Sequence, residues 1–249
     1  MGRWSRLLAS VVLGWLDPPS GLSWVDVGCG TGALSAAVLA HADPTSVLGV
    51  DPSAAYVGLA GAQLTDRRAA FRVGDAAELP VADASVDRVV CGLVLNFVPD
   101  AQAALREMRR VLVPGGVIAT YVWDYGDEGM QMLRRFWDAA IAEDPSAEAF
   151  DEGARFALSR PGGLEQCFAE AGVVDVAARR VEVPTVFRDF DDFWTPFLGG
   201  QGPGPGYLAS LSNESRDRIR ARLDATLPRE SDGSIRLAAR AWAVQGTSP

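Results

Sequence analysis

Residues 24–32 read Trp-Val-Asp-Val-Gly-Cys-Gly-Thr-Gly, a short apolar strand that ends in an acid and three glycines at alternate positions. Few folds accommodate such a run. Glycine lets the backbone turn sharply after a strand and lets a ligand approach main-chain N–H groups with no Cβ in the way. The residues that follow predict a helix over 33–40, its N-terminal amides aimed at that ligand. Gly28, Gly30 and Ala33 also satisfy the dinucleotide-binding pattern G-x-G-x-x-G/A, so the turn alone leaves its ligand open. Cys29 is expected to be a small buried residue, because nothing near it in sequence would depress a thiol pKa.

The next segments are informative by their order. A second apolar strand is predicted over 47–50, and it ends in Asp51, placed to accept hydrogen bonds from a ribose diol. A third, over 71–73, is followed by Gly74-Asp75-Ala76, where a carboxylate can accept from an exocyclic adenine amine. A fourth covers 86–92 and leads into 93–99. Then come a helix bearing Arg106, Glu107 and Arg110, a turn at Pro114-Gly115-Gly116, and a fifth strand over 117–122. Acids therefore fall at or just beyond the C-terminal ends of the first three strands, the edge of an open parallel sheet where ligands bind. Asp51 is equally suited to capping a helix from Ser53, and Asp75 to forming a turn.

Five segments, namely 26–32, Asp51-Pro52-Ser53, Gly74-Asp75-Ala76, the stretch from Leu79-Pro80 to Val86-Asp87, and 110–116, resemble in order and spacing the class I S-adenosylmethionine-dependent methyltransferases. The nearest subgroup is the small-molecule and ubiquinone-biosynthesis type. The resemblance is close over 1–125 and looser beyond. It implies an α/β fold: a Rossmann-like, doubly wound sheet of seven strands, mostly parallel with an antiparallel last strand. It implies S-adenosyl-L-methionine as cofactor, held by Asp26, Gly28, Cys29, Gly30, Asp51, Pro52, Ser53, Gly74, Asp75 and Ala76. Leu93, Asn96 and Phe97 follow the fourth strand, where many members of the family line the sulfonium and the acceptor. Leu95-Asn96-Phe97-Val98 is not the Asn/Asp-Pro-Pro-Tyr motif of DNA N-methyltransferases. Trp123, Asp124 and Tyr125 follow the fifth strand and are expected at the acceptor pocket, Asp124 to orient or deprotonate a hydroxyl and Tyr125 to donate a hydrogen bond. Asn96 completes the candidate catalytic set, and Arg6 is a candidate partner for the cofactor carboxylate.

Methyl transfer from a cationic sulfur is an in-line displacement, so a protein performing it must chiefly align the acceptor and exclude water. Bases are scarce: the sole histidine, His41, lies at the far end of the first helix after the glycine turn. The net charge of −9 argues against a nucleic-acid substrate, since phosphate binding needs a basic stripe. All 23 basic residues are arginine, which rules out Schiff-base and P-loop lysine chemistry. Three cysteines, 29, 91 and 167, have neither disulfide nor metal spacing and point to a reduced, cytoplasmic setting. Catechol-type enzymes hold magnesium with spaced carboxylates, whereas the acids here, Asp189, Asp191 and Asp192, read as a helix cap, so no metal is expected.

The N-terminal stretch, with Arg3 and Arg6 before an apolar run, reads as a lead-in helix over 5–16 and not as a signal peptide, and no segment is long enough to span a bilayer. The whole chain, 1–249, is expected to be one domain. Helices are predicted over 130–141 and 161–171, then a strand over 173–183 with an antiparallel partner over 235–245. Between those strands lie about fifty residues, 184–233, too long for an ordinary loop. They carry many aromatic residues and read as a substrate lid, with Phe193 and Trp194 joining Trp123 and Tyr125 in acceptor binding. The expected partner is a small, partly apolar methyl acceptor. An NAD(P)-dependent oxidoreductase and a non-methylating S-adenosylmethionine-binding relative are the alternatives. Nothing in the sequence fixes an oligomeric state.

Overall fold

In the computed structural model, which describes residues 2–126, 128–199 and 202–249, seven strands form one sheet in the order β3-β2-β1-β4-β5-β7-β6. Helix α1 (Gly2–Leu16) precedes β1 (Ser23–Val27), α2 (Ala33–His41), β2 (Ser46–Asp51), α3 (Ala54–Gln63), β3 (Ala69–Val73) and β4 (Val86–Gly92). Helix α4 (Ala101–Val111), β5 (Leu112–Trp123), α5 (Gln131–Glu143), α6 (Glu152–Arg155), α7 (Gly163–Glu170) and β6 (Val174–Phe187) follow. The remainder is α8 (Phe190–Trp194), α9 (Pro203–Ser210), α10 (Asn213–Thr226) and β7 (Ile235–Thr247).

Strands β1 to β5 pair in parallel. β7 runs the other way: the start of β5 bonds the end of β7, through Gly115 N–H to Ser248 O at 2.9 Å, while Asp124 N–H reaches back to Arg240 O. The lead-in helix begins three residues earlier than its sequence reading, at Gly2.

Two differences have clear causes. Pro114-Gly115-Gly116 is no free turn but an irregular segment inside β5, where pairing jumps from Val86–Leu112 to Arg88–Val117. Gly115 takes φ +78 there, a left-handed conformation that costs glycine nothing. β6 runs four residues beyond the expected Val183, through Pro184. It is the edge strand, so a proline without an N–H interrupts no ladder on the open side. The connection between β6 and β7 is correspondingly shorter than 184–233, and its residues 200 and 201 lie outside the described residues.

The chain resolves into two compact units. The first comprises 2–122, 161–181 and 242–249 and contains β1 to β4, nearly all of β5, and α1 to α4. β1 is buried at four of its five positions, as expected of a central parallel strand covered on both faces. Much of the sequence pattern between 79 and 110 serves this packing. The Glu107 carboxylate accepts from Leu79 N–H at 2.8 Å and from Arg110, whose guanidinium also reaches Val81 O at 2.9 Å and Asp83. Asp87 accepts from both the N–H and the hydroxyl of Ser23, at 2.8 and 2.6 Å, and so joins the starts of β1 and β4.

The second unit comprises 123–160 and 182–241. Its core is aromatic. Phe193 is fully buried and meets Phe187 edge-on and Phe197 at a tilt, and Phe197 stacks on Phe136 with centroids 4.4 Å apart. Asp189 caps α8 by accepting from Asp192 N–H, and Asp191 pairs with Arg220. Glu143 ties α5 to α10 through Arg218 and Arg222.

Candidate functional site

The strand order reverses between β1 and β4: the chain builds β1, β2 and β3 outward, then returns to place β4 against the free side of β1. At such a switch point the loops leaving adjacent strands diverge and leave a crevice at the C-terminal ends. Here the crevice is a solvent-open cleft within the first unit. Its lining comes from Gly28 after β1, from Val50, Asp51 and Pro52 at β2, from Gly74, Asp75 and Ala76 after β3, and from Val94 and 97–99 after β4.

Gly28 holds φ +72, and a Cβ on it would lie 2.5 Å from Val94 Cγ1. Only glycine lets the two loops pass so closely. Gly30, at φ +53, has open space where its Cβ would stand. Gly32, also left-handed, precedes α2 as a cap with no side-chain acceptor, so the first-turn amides of α2 receive no cap from it.

Asp51 is 7% exposed and links two loops. One carboxylate oxygen accepts from Gly30 N–H at 2.9 Å and the other from Ser53 N–H at 2.9 Å. Each oxygen keeps a further lone pair for a ligand hydroxyl. The cap of α3 is Ser53, whose hydroxyl accepts from Tyr56 N–H; Asp51 is not the cap. Asp75 is exposed and accepts from Ala77 N–H at 2.8 Å, which fixes the turn after β3.

Behind the glycine turn lies Asp26, 1% exposed. One of its oxygens accepts from the Ser35 hydroxyl at 2.6 Å, while Oδ1 is buried with no partner. Burial pushes its pKa up to about 6, against the lowering effect of the Ser35 hydrogen bonds, and the nearby charge of Asp51 adds to the rise. The buried Asp26 and Asp51 also drive the Cys29 thiol upward, after burial itself. Cys29 is therefore a buried, inert thiol, and Cys91 is pushed up to about 12 by burial and by the Asp26 charge.

Of the residues expected at the cofactor, Gly28, Asp51, Pro52, Gly74, Asp75, Ala76 and Phe97 line the cleft. Asp26, Cys29, Gly30, Ser53, Leu93 and Asn96 are not among its lining residues, the last two lying on the loop after β4. Leu93 adopts φ +63, a strained conformation for a branched side chain, and its N–H donates to Tyr121 O at 2.8 Å. Asn96 has a buried side-chain oxygen without a partner. Arg6 is exposed on α1. The apolar wall of Val50, Val94, Val98 and Pro99 escaped the motif reading, because valines in strand ends carry no distinctive spacing.

Within the second unit, Trp123 and Tyr125 are buried, and Asp124 accepts from Gly126 N–H at 2.9 Å to form a turn. Phe193 and Trp194 belong to the aromatic core. A residue absent from the sequence reading, Glu152, is 2% exposed and accepts from the Trp137 indole N–H. Burial raises its pKa, and burial plus the Glu152 charge raises that of the Tyr125 phenol. Nothing local in the sequence marks Glu152, since its partner Trp137 lies in another helix. Among the described residues no group of His, Cys, Asp and Glu is placed to hold a metal ion.

The cleft brings two carboxylates together and contains no arginine among its lining residues. That suits a ligand rich in hydroxyl and cationic donors better than one carrying a pyrophosphate. With the orphaned Asp26 oxygen behind it, the donor set fits S-adenosylmethionine, which bears a sulfonium and an ammonium.

Residues 25–120 match the family described as a methyltransferase domain. A demethylmenaquinone methyltransferase of Roseiflexus sp. (strain RS-1) is 31% identical over 66% of this chain and 73% of its own. A trans-aconitate 2-methyltransferase of Variovorax paradoxus (strain S110) is 34% identical over 69% of this chain and 63% of its own. Among solved structures, a putative methyltransferase from Bacillus halodurans C-125 superposes with a TM-score of 0.63 at 14% identity, covering 97% of this chain and 98% of that one, which shows a shared fold.

Proposed function

The chain belongs to the class I S-adenosylmethionine-dependent methyltransferases, and from that premise we propose that it methylates a small hydroxylated ring of the quinol type. The observation that carries the cofactor half of this reading is the cleft at the β1/β4 switch point with Asp51 at its floor. The acceptor half rests on relatives named for demethylmenaquinone and for 2-methyl-6-phytyl-1,4-hydroquinone. Family membership removes the nicotinamide alternative.

Bound in the cleft, S-adenosylmethionine supplies an electrophilic methyl group on a cationic sulfur. Asp51 would hold the ribose hydroxyls with the lone pairs left free by Gly30 and Ser53. Asp75 stands ready for the adenine amine, and Asp26 supplies negative charge for the ammonium. Val50, Val94, Val98 and Pro99 exclude water from the cleft. The Asn96 side-chain oxygen, lacking a partner, is proposed to face the acceptor. Tyr125 stays protonated through neutral pH because its pKa is raised, so its role is to donate a hydrogen bond and not to act as a base. Asp124 is proposed to orient the acceptor hydroxyl, and Trp123 and Trp194 to supply apolar surface, with Phe193 buried in the aromatic core behind. The three buried, unpaired cysteines support a cytoplasmic setting, and no described helix is long and apolar enough to cross a membrane.

Two measurements test this. Calorimetry with S-adenosylhomocysteine should give micromolar affinity that falls at least tenfold in Asp51→Ala, about the worth of one charged hydrogen bond. Incubation with a demethylated quinol and S-adenosylmethionine should yield the methylated ring by mass spectrometry. Tight nucleoside binding with no product from any ring acceptor would place the chain among the non-methylating relatives.

A further inference from the structure

A second hollow in the first unit lies on the sheet near the N-terminal ends of β1 and β4, away from the cleft. It is small and opens to solvent. Trp24 and Arg88 are Cα partners across β1 and β4, so their side chains leave the same face of the sheet, and both line it. Leu16, Pro18 and Ala119 form apolar walls, and Gln245 brings an amide from β7.

Two donors beside this hollow are under-used. The Arg88 guanidinium is partly buried, and its sole hydrogen bond among the described residues goes to the carbonyl of Asp87, at 3.0 Å. The Asp87 carboxylate is committed to Ser23, and among the described residues Arg88 forms no ion pair. Burial lowers the Arg88 pKa, only partly offset by the Asp87 charge. Trp24 is 1% exposed, and its indole N–H is buried without a partner. A partly desolvated cation with one neutral acceptor and a desolvated N–H with none are costly as they stand and are relieved together by one further acceptor.

We propose that this hollow is a binding site for a small monocarboxylate. Arg88 supplies the charge and a two-pronged donor, Trp24 a single directed N–H, and the apolar walls receive an alkyl group. One cation among apolar walls does not compensate a dianion, so phosphate is not the ligand.

Acetate titrated at constant ionic strength tests the proposal, with the Trp24 indole resonance in ¹H–¹⁵N spectra, assigned through Trp24→Phe, as the readout. A saturable displacement of that resonance is expected. It should weaken at least tenfold in Arg88→Lys, which keeps the charge and loses the fork, and vanish in Arg88→Gln. Should Arg88→Gln fail to fold, the shape of the wild-type curve decides. A linear drift, or a saturable response to phosphate and not to acetate, overturns the proposal.

Discussion

Asp26 concentrates the site's electrostatics in one side chain. Its carboxyl is held neutral up to about pH 6, against an ordinary value of 3.8. The native state therefore binds this proton more tightly than the unfolded chain. The stability Asp26 contributes is fully present below pH 3.8 and is lost as pH rises through about 6. A cationic ligand has the opposite preference, because it needs the carboxylate. We expect affinity for S-adenosylmethionine, followed by calorimetry, to fall as pH drops below about 6, and Asp26→Asn to flatten that profile while lowering affinity at pH 7.5. Asp26 was legible as part of a motif, but its unusual acidity was not. That follows from burial, which outweighs the lowering hydrogen bonds from Ser35 on α2, and from the nearby Asp51 charge, and only the folded chain brings these together. The same is true of Leu93: no composition rule puts a leucine at φ +63, and the structure shows the chain holding it there beside the cleft.

Elements were legible where their period was undisturbed. β4 occupies the expected 86–92, its buried apolar stretch at 89–91 standing out as a run. The end of β6 blurred because an edge strand alternates weakly: β6 is exposed at most positions from 174 to 180. The region from 188 to 234 was recognisable as an insertion by length and aromatic content, but the way its rings interlock was not. Phe193 sits at their centre, against Phe187, Phe190 and Phe197. Phe193→Ala should cost about 3–5 kcal/mol, the usual penalty for emptying a buried phenylalanine site, read as a lowered urea midpoint. An equal loss of stability from Leu198→Ala, at a residue 62% exposed, would argue against that ring as the keystone.

Taken whole, the molecule carries a net charge of −9. Arginine does the tethering: Arg110 fastens the loop over 79–83 to α4, Arg134 bridges α5 to Asp151, and Arg218 and Arg222 hold α10 to Glu143. These long-range ties explain why family, fold and cofactor could be read from five short segments while the contacts behind them could not. A methyltransferase motif is dense in glycines and acids, which are few-purpose residues, whereas a tethering arginine looks the same in sequence as a solvated one.

The near-collision of Gly28 with Val94 has a consequence for how such a chain can change over generations. The turn after β1 and the loop after β4 share one volume, so neither position is free to drift alone. Gly28→Ala should be strongly destabilising, from both the φ of +72 and the 2.5 Å encounter. Gly28→Ala with Val94→Gly should recover the steric part of that loss, leaving only the backbone part, and a double-mutant cycle of thermal midpoints would measure the difference. Descendants of this sequence would then explore the two sites in tandem, the size allowed at one fixed by the size already taken at the other.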